Sequence, residues 1–277
     1  MTPGAEARTY LIGLGGLPDD EINLAEAALV LASIDRPRAA LEPYRRHLER
    51  LVADVRAYVG DGEAALELRA EALAQVLTKR YGYVVDEAIE DVVEGANLMH
   101  VIDARRGLAV GVGILYLHVA ATLGWAIEGL DFPTRFPVRL EHLGIRAIVD
   151  PAAGARIVGA ADLRGLLKAL VGNHAELDPS RYRGLSKRDI LLRLQNDIKV
   201  YLLRGEKLDH ALERVETALL FAPEAALLWR EAGLLHAHLD NVKEAVAALE
   251  EYMRCNAGDA ARYRTSVLLQ ELRGRLG

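Results

Sequence analysis

The chain has 277 residues, 51% of them hydrophobic, which is enough to bury a sizeable core and argues against disorder. Its 34 basic and 40 acidic residues give a formal net charge of −6, and no basic block is present that could follow a phosphate backbone, so nucleic acid is not expected as a partner. The single cysteine, Cys255, excludes an intrachain disulfide, and the first twenty residues lack the pattern of a secretory signal. We therefore expect a cytoplasmic protein.

Three helices are predicted in the first eighty residues. Apolar residues recur at helical spacing over 19–32, again over 41–58 after Pro37, and over 63–79 after a glycine-containing turn at 60–62. The N-terminal part of the chain is therefore expected to be helical.

The range 107–127 carries no formal charge and is about as long as a membrane span requires. Its glycines and His118, together with the flanking Arg105, Arg106 and Glu128, favour instead a helix that is buried on all sides in a protein core. No membrane association is expected.

Short strands are predicted after this helix, over 125–132, 136–141 and 145–149, because prolines and glycines bound these runs. A hairpin turn at 142–144 would join the last two strands. The chain is expected to be helical again after Pro151.

A repeat follows in the last ninety residues. Aligning 191–224 with 225–258 places Ala211 over Ala245, at an offset of 34 residues. This is the length of a tetratricopeptide unit, in which two antiparallel helices need small residues where they approach closely. We therefore predict tetratricopeptide-type helical repeats in 186–277.

Several motifs together resemble the SirB-type transglutaminase-like family. They are Arg-Arg-Gly at 105–107, Ile-Leu-Tyr-Leu-His-Val-Ala at 114–120, Leu-Gly at 123–124, Gly-Leu-Asp-Phe-Pro at 129–133 and Val-Asp-Pro at 149–151. The resemblance covers nearly the full chain and implies a mainly helical α+β fold. In that fold, N-terminal helices and a transglutaminase-like, papain-like core with a small antiparallel sheet occupy 1–185, and the tetratricopeptide-like repeats occupy 186–277.

Active relatives with this core fold use a cysteine at the start of the long helix, a histidine on the following strand and an aspartate on the next. The resemblance places these roles at Gly111, Arg135 and Asp150. Glycine offers no thiol or hydroxyl, and a guanidinium stays protonated and cannot act as a general base. We therefore predict a degenerate site without catalytic activity, in which Asp150 is structural.

Candidate binding residues lie elsewhere in the chain. Asn196 and Arg230 share a position one repeat period apart, which suits a concave groove that holds an extended peptide. Arg106, or its neighbour Arg105, is a candidate to anchor a carboxylate. The carboxylates considered for this contact are Asp103, Glu128 and Asp150.

No cofactor or metal is expected. The glycine-rich stretches at 13–16 and 111–113 lack the spacing of nucleotide-binding loops. His236 and His238 are two residues apart and point to different faces of a helix, whereas a shared metal needs a spacing of three or four.

These features predict a non-catalytic scaffold that interacts with a protein or peptide, or regulates one. Two alternatives stay open. One is a peptidase or amide hydrolase that uses an unconventional residue such as Asp150 or His118, and its cleft would be open and polar. The other is a structural subunit of a larger assembly, which would expose a broad apolar patch.

Overall fold

The computed structural model describes residues 3–86, 88–133, 135–178, 182–255 and 261–276. The chain forms two compact units. The core unit consists of Thr2–Ala7 and Asp19–Ile190, and the repeat unit consists of Arg8–Pro18 and Leu191–Gly277, together with the first residue. The predicted boundary between 1–185 and 186–277 stays a prediction.

The three helices predicted in the first eighty residues correspond to α2 (Leu24–Asp35), α3 (Glu42–Val59) and α4 (Leu66–Leu73). Three other helices were not predicted: α1 (Pro3–Gly15), α5 (Val92–Ala96) and α6 (Leu98–Ala104). The predicted buried helix is α7 (Ala109–Thr122), and α8 (Ala160–Val171) follows the sheet. Helix α4 continues into a π-helical segment, Ala74–Arg80. The helix predicted over 19–32 begins later than expected, because the side chain of Asn23 caps α2 by accepting a hydrogen bond from the Glu26 amide at 3.1 Å.

Helix α7 is the centre of the core unit. Every residue from Val110 to Leu117 is buried, as expected for a helix that is apolar on all sides. The helix is shorter than the predicted range 107–127, because Arg106–Gly107 forms a strand before it and Gly124 adopts a positive φ of 75° after it. In the described part of the chain, no helix combines the length and the apolar character that a membrane span needs.

A four-stranded antiparallel sheet follows α7. Its strands are β3 (Ala126–Gly129), β4 (Val138–His142), β5 (Ile145–Asp150) and β6 (Arg156–Val158), in the order β3-β4-β5-β6. The predicted hairpin at 142–144 is confirmed: His142 pairs with Ile145, and both turn residues, Leu143 and Gly144, have positive φ.

Two strand features were not predicted. The chain was expected to be helical directly after Pro151, and this was wrong for β6. The three residues of β6 pair with the last three of β5, for example Val158 with Ile148. A short parallel pair, β1 (Val84–Val85) with β2 (Arg106–Gly107), also went unpredicted. Pairings of two or three residues carry too little periodicity to be recognised in a sequence.

The ring of Phe136 joins α7 to the sheet. It is 1% exposed and lies over two glycines, one on α7 and one on β3. A Cβ added to Gly113 would lie 2.1 Å from Phe136 Cδ1, and one added to Gly129 would lie 2.3 Å from its Cζ. Glycine is required at both positions, because any larger residue would displace the ring.

The repeat unit consists of helical hairpins, as predicted. Its helices are α9 (Lys187–Arg204, of which the part from Leu191 belongs to this unit), α10 (Leu208–Phe221), α11 (Ala226–His238), α12 (Val242–Cys255) and α13 (Ala261–Gly274). Ala211 and Ala245 are both fully buried, which confirms their close-packing role. Gly233 packs in the same way, since an added Cβ would lie 2.5 Å from Leu249 Cδ2.

A polar cluster connects α3 with the segment around β1 and the end of α6. His47 Nε2 lies 2.7 Å from the hydroxyl oxygen of Tyr83 and 2.8 Å from Arg105 Nη1. Burial lowers the pKa of His47 from 6.5 to about 4, and the positive charges of Arg105 and Arg50 act in the same direction. We call His47, Tyr81, Tyr83 and Arg105 the His47 cluster.

We expect Gly113→Ala to lower the free energy of unfolding by about 1–3 kcal/mol, because the new methyl group overlaps the ring of Phe136. Gly165→Ala is the matched control. Gly165 lies in α8 with open space around it, and there alanine should stabilise the helix by up to about 1 kcal/mol. Urea unfolding followed by circular dichroism measures both changes, and a midpoint for Gly113→Ala at or above wild type would contradict this packing.

The His47 cluster predicts a pH-dependent stability. Between pH 6.5 and about 4, the unfolded chain holds a proton on His47 that the folded chain does not, so lowering the pH favours unfolding. This residue should reduce the free energy of unfolding by up to about 1.4 kcal/mol for each pH unit in that window. The slope should be shallower in His47→Gln, and equal slopes from urea titrations at several pH values would show that the imidazole is not held neutral.

Candidate functional site

The sheet register brings two of the predicted site residues together. Val138 at the start of β4 pairs with Val149 near the end of β5. Arg135 precedes β4 by a few residues and Asp150 ends β5, so both lie at the same end of this hairpin. Asp150 lies on a strand, as the resemblance implies for the aspartate, whereas Arg135 lies in the segment that leads into β4.

Arg135 and Asp150 form a buried ion pair. Arg135 Nη1 donates to Asp150 Oδ2 at 2.8 Å, and the side chains are 19% and 1% exposed. The other carboxylate oxygen, Oδ1, accepts a hydrogen bond from the Ala152 amide at 3.0 Å and caps the 3-10 turn Pro151–Ala153. Asp150 is thus held by the guanidinium of Arg135 and by the backbone that follows it.

Gly111 faces a different part of the core unit. A Cβ added there would lie 3.1 Å from Val101 Cγ2 on α6 and 3.7 Å from the carbonyl oxygen of Gly95 on α5. The position of α7 that does meet the sheet hairpin is Gly113, against Phe136. The structure therefore brings Arg135 to Asp150 and directs the Gly111 position towards α5 and α6.

Tyr116 is a residue of this region that sequence reasoning missed. It is fully buried on α7, and its hydroxyl lies 2.6 Å from Thr78 Oγ1 in the π-helical segment. Burial raises the pKa of Tyr116 to about 12, and the negative charge of Asp150 adds to this effect. The hydroxyl therefore stays protonated at neutral pH. Its signal in the sequence was a polar-tipped residue inside an otherwise apolar run.

A cavity of about 720 Å³ lies in the core unit beside the second half of α7. Its wall includes Leu117, His118, Thr122, Ile127, Glu128 and Lys187. Burial lowers the pKa of His118, so its imidazole is neutral at neutral pH. The Thr122 hydroxyl donates to the carbonyl oxygen of His118 at 2.7 Å, and Glu128 accepts from Arg139 Nε at 2.7 Å. Neither group is free to act as a nucleophile that His118 activates.

Arg106 does bind a carboxylate, but the predicted partners were wrong. Its Nε donates to Asp86 Oδ2 at 3.0 Å, because the parallel pairing of Val84 with Arg106 brings the residue after β1 close to this side chain. Each of the three carboxylates considered has another arginine partner: Asp103 pairs with Arg36, Glu128 with Arg139, and Asp150 with Arg135.

The two predicted groove residues lie on helices of the repeat unit. Asn196 is exposed on α9, and Arg230 on α11 donates through Nε to Thr265 Oγ1 on α13 at 3.2 Å.

The described ranges hold no group of three or more histidine, cysteine, aspartate or glutamate side chains placed to bind a metal ion.

The sequence matches two protein families. The transglutaminase-like superfamily matches residues 42–196, more than half of the chain, and the tetratricopeptide repeat family matches residues 198–270.

Bacterial relatives match over most of the chain. A UPF0162 protein of Vibrio cholerae is 27% identical over 243 residues, which cover 87% of this chain and 89% of that protein. A UPF0162 protein of Pseudomonas aeruginosa is 28% identical over 221 residues and 78% of each chain, and protein SirB1 of Salmonella typhimurium is 25% identical over 171 residues, 61% of this chain and 63% of its own.

Among solved structures, the crystal structure of menin, described as revealing the binding site for Mixed Lineage Leukemia protein, is similar with a TM-score of 0.41 and 12% identity. That similarity covers 95% of this chain and 73% of menin, and with a TM-score this low no conclusion about fold or function is drawn from it. The family matches and the bacterial relatives carry the assignment. The chain belongs to the transglutaminase-like superfamily, as a SirB-type protein in which tetratricopeptide repeats follow the transglutaminase-like core.

Proposed function

We propose that this chain is a non-catalytic scaffold whose tetratricopeptide repeats engage a protein segment, and whose transglutaminase-like core has no acyl-transfer activity. The observation that carries the second part is the buried contact between Arg135 and Asp150. A cytoplasmic location, inferred from the single cysteine, is part of the same proposal.

The contact matters because acyl transfer needs a nucleophile and an unprotonated base within reach of each other. A guanidinium remains charged at every physiological pH and cannot accept the proton. Asp150, which would orient a histidine in an active relative, already uses one oxygen for Arg135 and the other for the Ala152 amide. Arg135 is thus a stable occupant of the base position.

The close packing of Phe136 supports the same reading. Its ring lies directly against Gly113 on α7 and Gly129 on β3. A substrate carbonyl between α7 and the sheet would need the space that this buried ring fills.

The exposed face of the repeats supports partner binding. Leu227, Arg230 and Leu234 recur three and four residues apart on α11, and both leucines are exposed. Tyr263, which is 77% exposed, and Val267 lie four residues apart on α13. The hydrogen bond from Arg230 to Thr265 connects α11 with α13, whereas Tyr263 and Val267, two residues before and after Thr265, form a separate exposed stripe on the other side of α13. Apolar side chains exposed around a cation are suited to a partner segment with apolar anchors and a negative charge.

One observation favours the alternative function, a peptidase or amide hydrolase. His118 presents a neutral imidazole to a cavity large enough for a small substrate. The described residues provide no hydrogen-bond partner for this ring, and no nucleophile beside it is free, so the scaffold function is better supported.

Photo-crosslinking tests the proposed groove. With benzoylphenylalanine at position 196 or 230 in the native host, we expect the same partner band from both positions and none from position 243. Lys243 is the control because it is exposed on α12, outside this face. Leu227→Glu should abolish both crosslinks by placing a charge in the apolar stripe. Identical crosslinks from all three positions, or none from 196 and 230, would refute partner binding by this face.

Turnover of amides tests the proposed loss of catalysis. We expect purified wild-type protein to release no more product from fluorogenic peptide amides than His118→Ala and Asp150→Asn do, because no base and nucleophile converge. Mass spectrometry should likewise find no acyl adduct on the protein. Turnover by wild type that either substitution removes would establish the hydrolase function instead.

A further inference from the structure

A second pocket of the core unit has no part in the proposed function. It has a volume of about 440 Å³ and lies between the start of α3 and the end of α6. Its wall includes Ala40, Tyr44, His47, Ile102, Asp103 and Arg105.

Arg105 brings a positive charge to this pocket without a carboxylate of its own. Within the described ranges its side-chain partners are the hydroxyl of Tyr83 and His47 Nε2, and it lies over the rings of Tyr81 and Tyr83, 5.5 and 5.0 Å from their centroids. By contrast, the neighbouring Arg106 has the carboxylate of Asp86. Aromatic faces hold the guanidinium in place, but they do not neutralise its charge.

The backbone conformation of Arg105 also supports a specific role for its side chain. The residue ends α6 in the left-handed conformation, at φ 60° and ψ 20°, where glycine or asparagine is the usual choice. The left-handed conformation costs an arginine conformational free energy, so its presence there indicates that the side chain has a role.

His47 adds a hydrogen-bond donor. Its Nε2 must accept, because Arg105 Nη1 donates to it and the Tyr83 hydroxyl, whose pKa burial raises to about 12, also contacts it at 2.7 Å. The proton of the neutral ring is therefore on Nδ1. Among the described residues Nδ1 has no partner, and the ring as a whole lies in the pocket wall.

The charges around the pocket favour an anionic ligand. Asp103 binds Arg36 at 2.9 Å and accepts from the Tyr44 hydroxyl at 3.0 Å, so its carboxylate is already neutralised. Among the described residues, the charge of Arg105 has no such carboxylate partner. A dianion such as a phosphate monoester would bring a second negative charge into a pocket whose wall includes Asp103, and the added repulsion favours a monocarboxylate.

We propose that this pocket binds a monocarboxylate with a short apolar body, held by the guanidinium of Arg105, and that His47 reports the binding because its Nε2 contacts the same guanidinium. Pro43 and Ile102 provide the apolar wall. The carboxylate comes from a small organic acid or from the free C-terminus of a peptide, since both present the same planar group to an arginine. This site is independent of the repeat groove.

Nitrogen-15 spectra of the histidine rings in the full chain test the proposal at pH 7.5. Propionate should shift the His47 signals saturably, whereas inorganic phosphate at the same ionic strength should not. N-acetyl-trialanine with a free carboxylate and its C-terminal amide form the second arm. Binding of the free acid but not of the amide assigns a peptide C-terminus, and binding of propionate alone assigns a small acid.

Substitutions identify the contact. Arg105→Gln should weaken propionate binding at least about tenfold, while Arg106→Gln, its exposed neighbour, should leave binding unchanged. Because Arg105 also packs on two tyrosines, Ala40→Asp is a second test: Ala40 is exposed at the pocket wall, so the new carboxylate should block binding and leave the fold intact. Absence of a propionate shift, equal binding of phosphate, or equal losses in Arg105→Gln and Arg106→Gln would overturn the proposal.

Discussion

A carboxylate that is 99% removed from water must be paired, because an isolated buried charge costs several kcal/mol. Asp150 meets this requirement with Arg135 and with the turn that follows β5. The pair ties the segment before β4 to the end of β5, and the neighbouring Phe136 ties the same segment to α7. The packing of helix against sheet in the core unit thus depends on a contact that, in an active relative, would serve catalysis.

The same contact would account for the proposed absence of acyl-transfer activity in a transglutaminase-like core. An aspartate that orients an imidazole and an aspartate that neutralises a guanidinium need the same position at the end of the strand. Replacing histidine by arginine therefore preserves the demand for Asp150 while removing the base.

The charges of the core unit show where recognition is favoured. Arg36, Arg106, Arg135 and Arg139 each have a carboxylate partner, so their charges are used within the fold. Arg105 is held by a neutral imidazole and two phenol rings instead. A cation that the fold holds in place but does not neutralise favours anion binding, because the conformational entropy of its side chain is already lost in the folded state.

Periodic features of the fold could be predicted from local patterns: the buried helix α7, the antiparallel strands, the tight turn at 142–144, and the 34-residue repeat with Ala211 and Ala245. Periodicity and motif order are local properties, so they can be recognised without a fold. Long-range contacts became known only from the folded chain: Arg106 with Asp86, Phe136 between two glycines, the pairing of the short strands β1, β2 and β6, and the absence of a carboxylate beside Arg105 among the described residues. Contacts between residues far apart in the chain depend on sheet register and helix orientation, which no local pattern encodes.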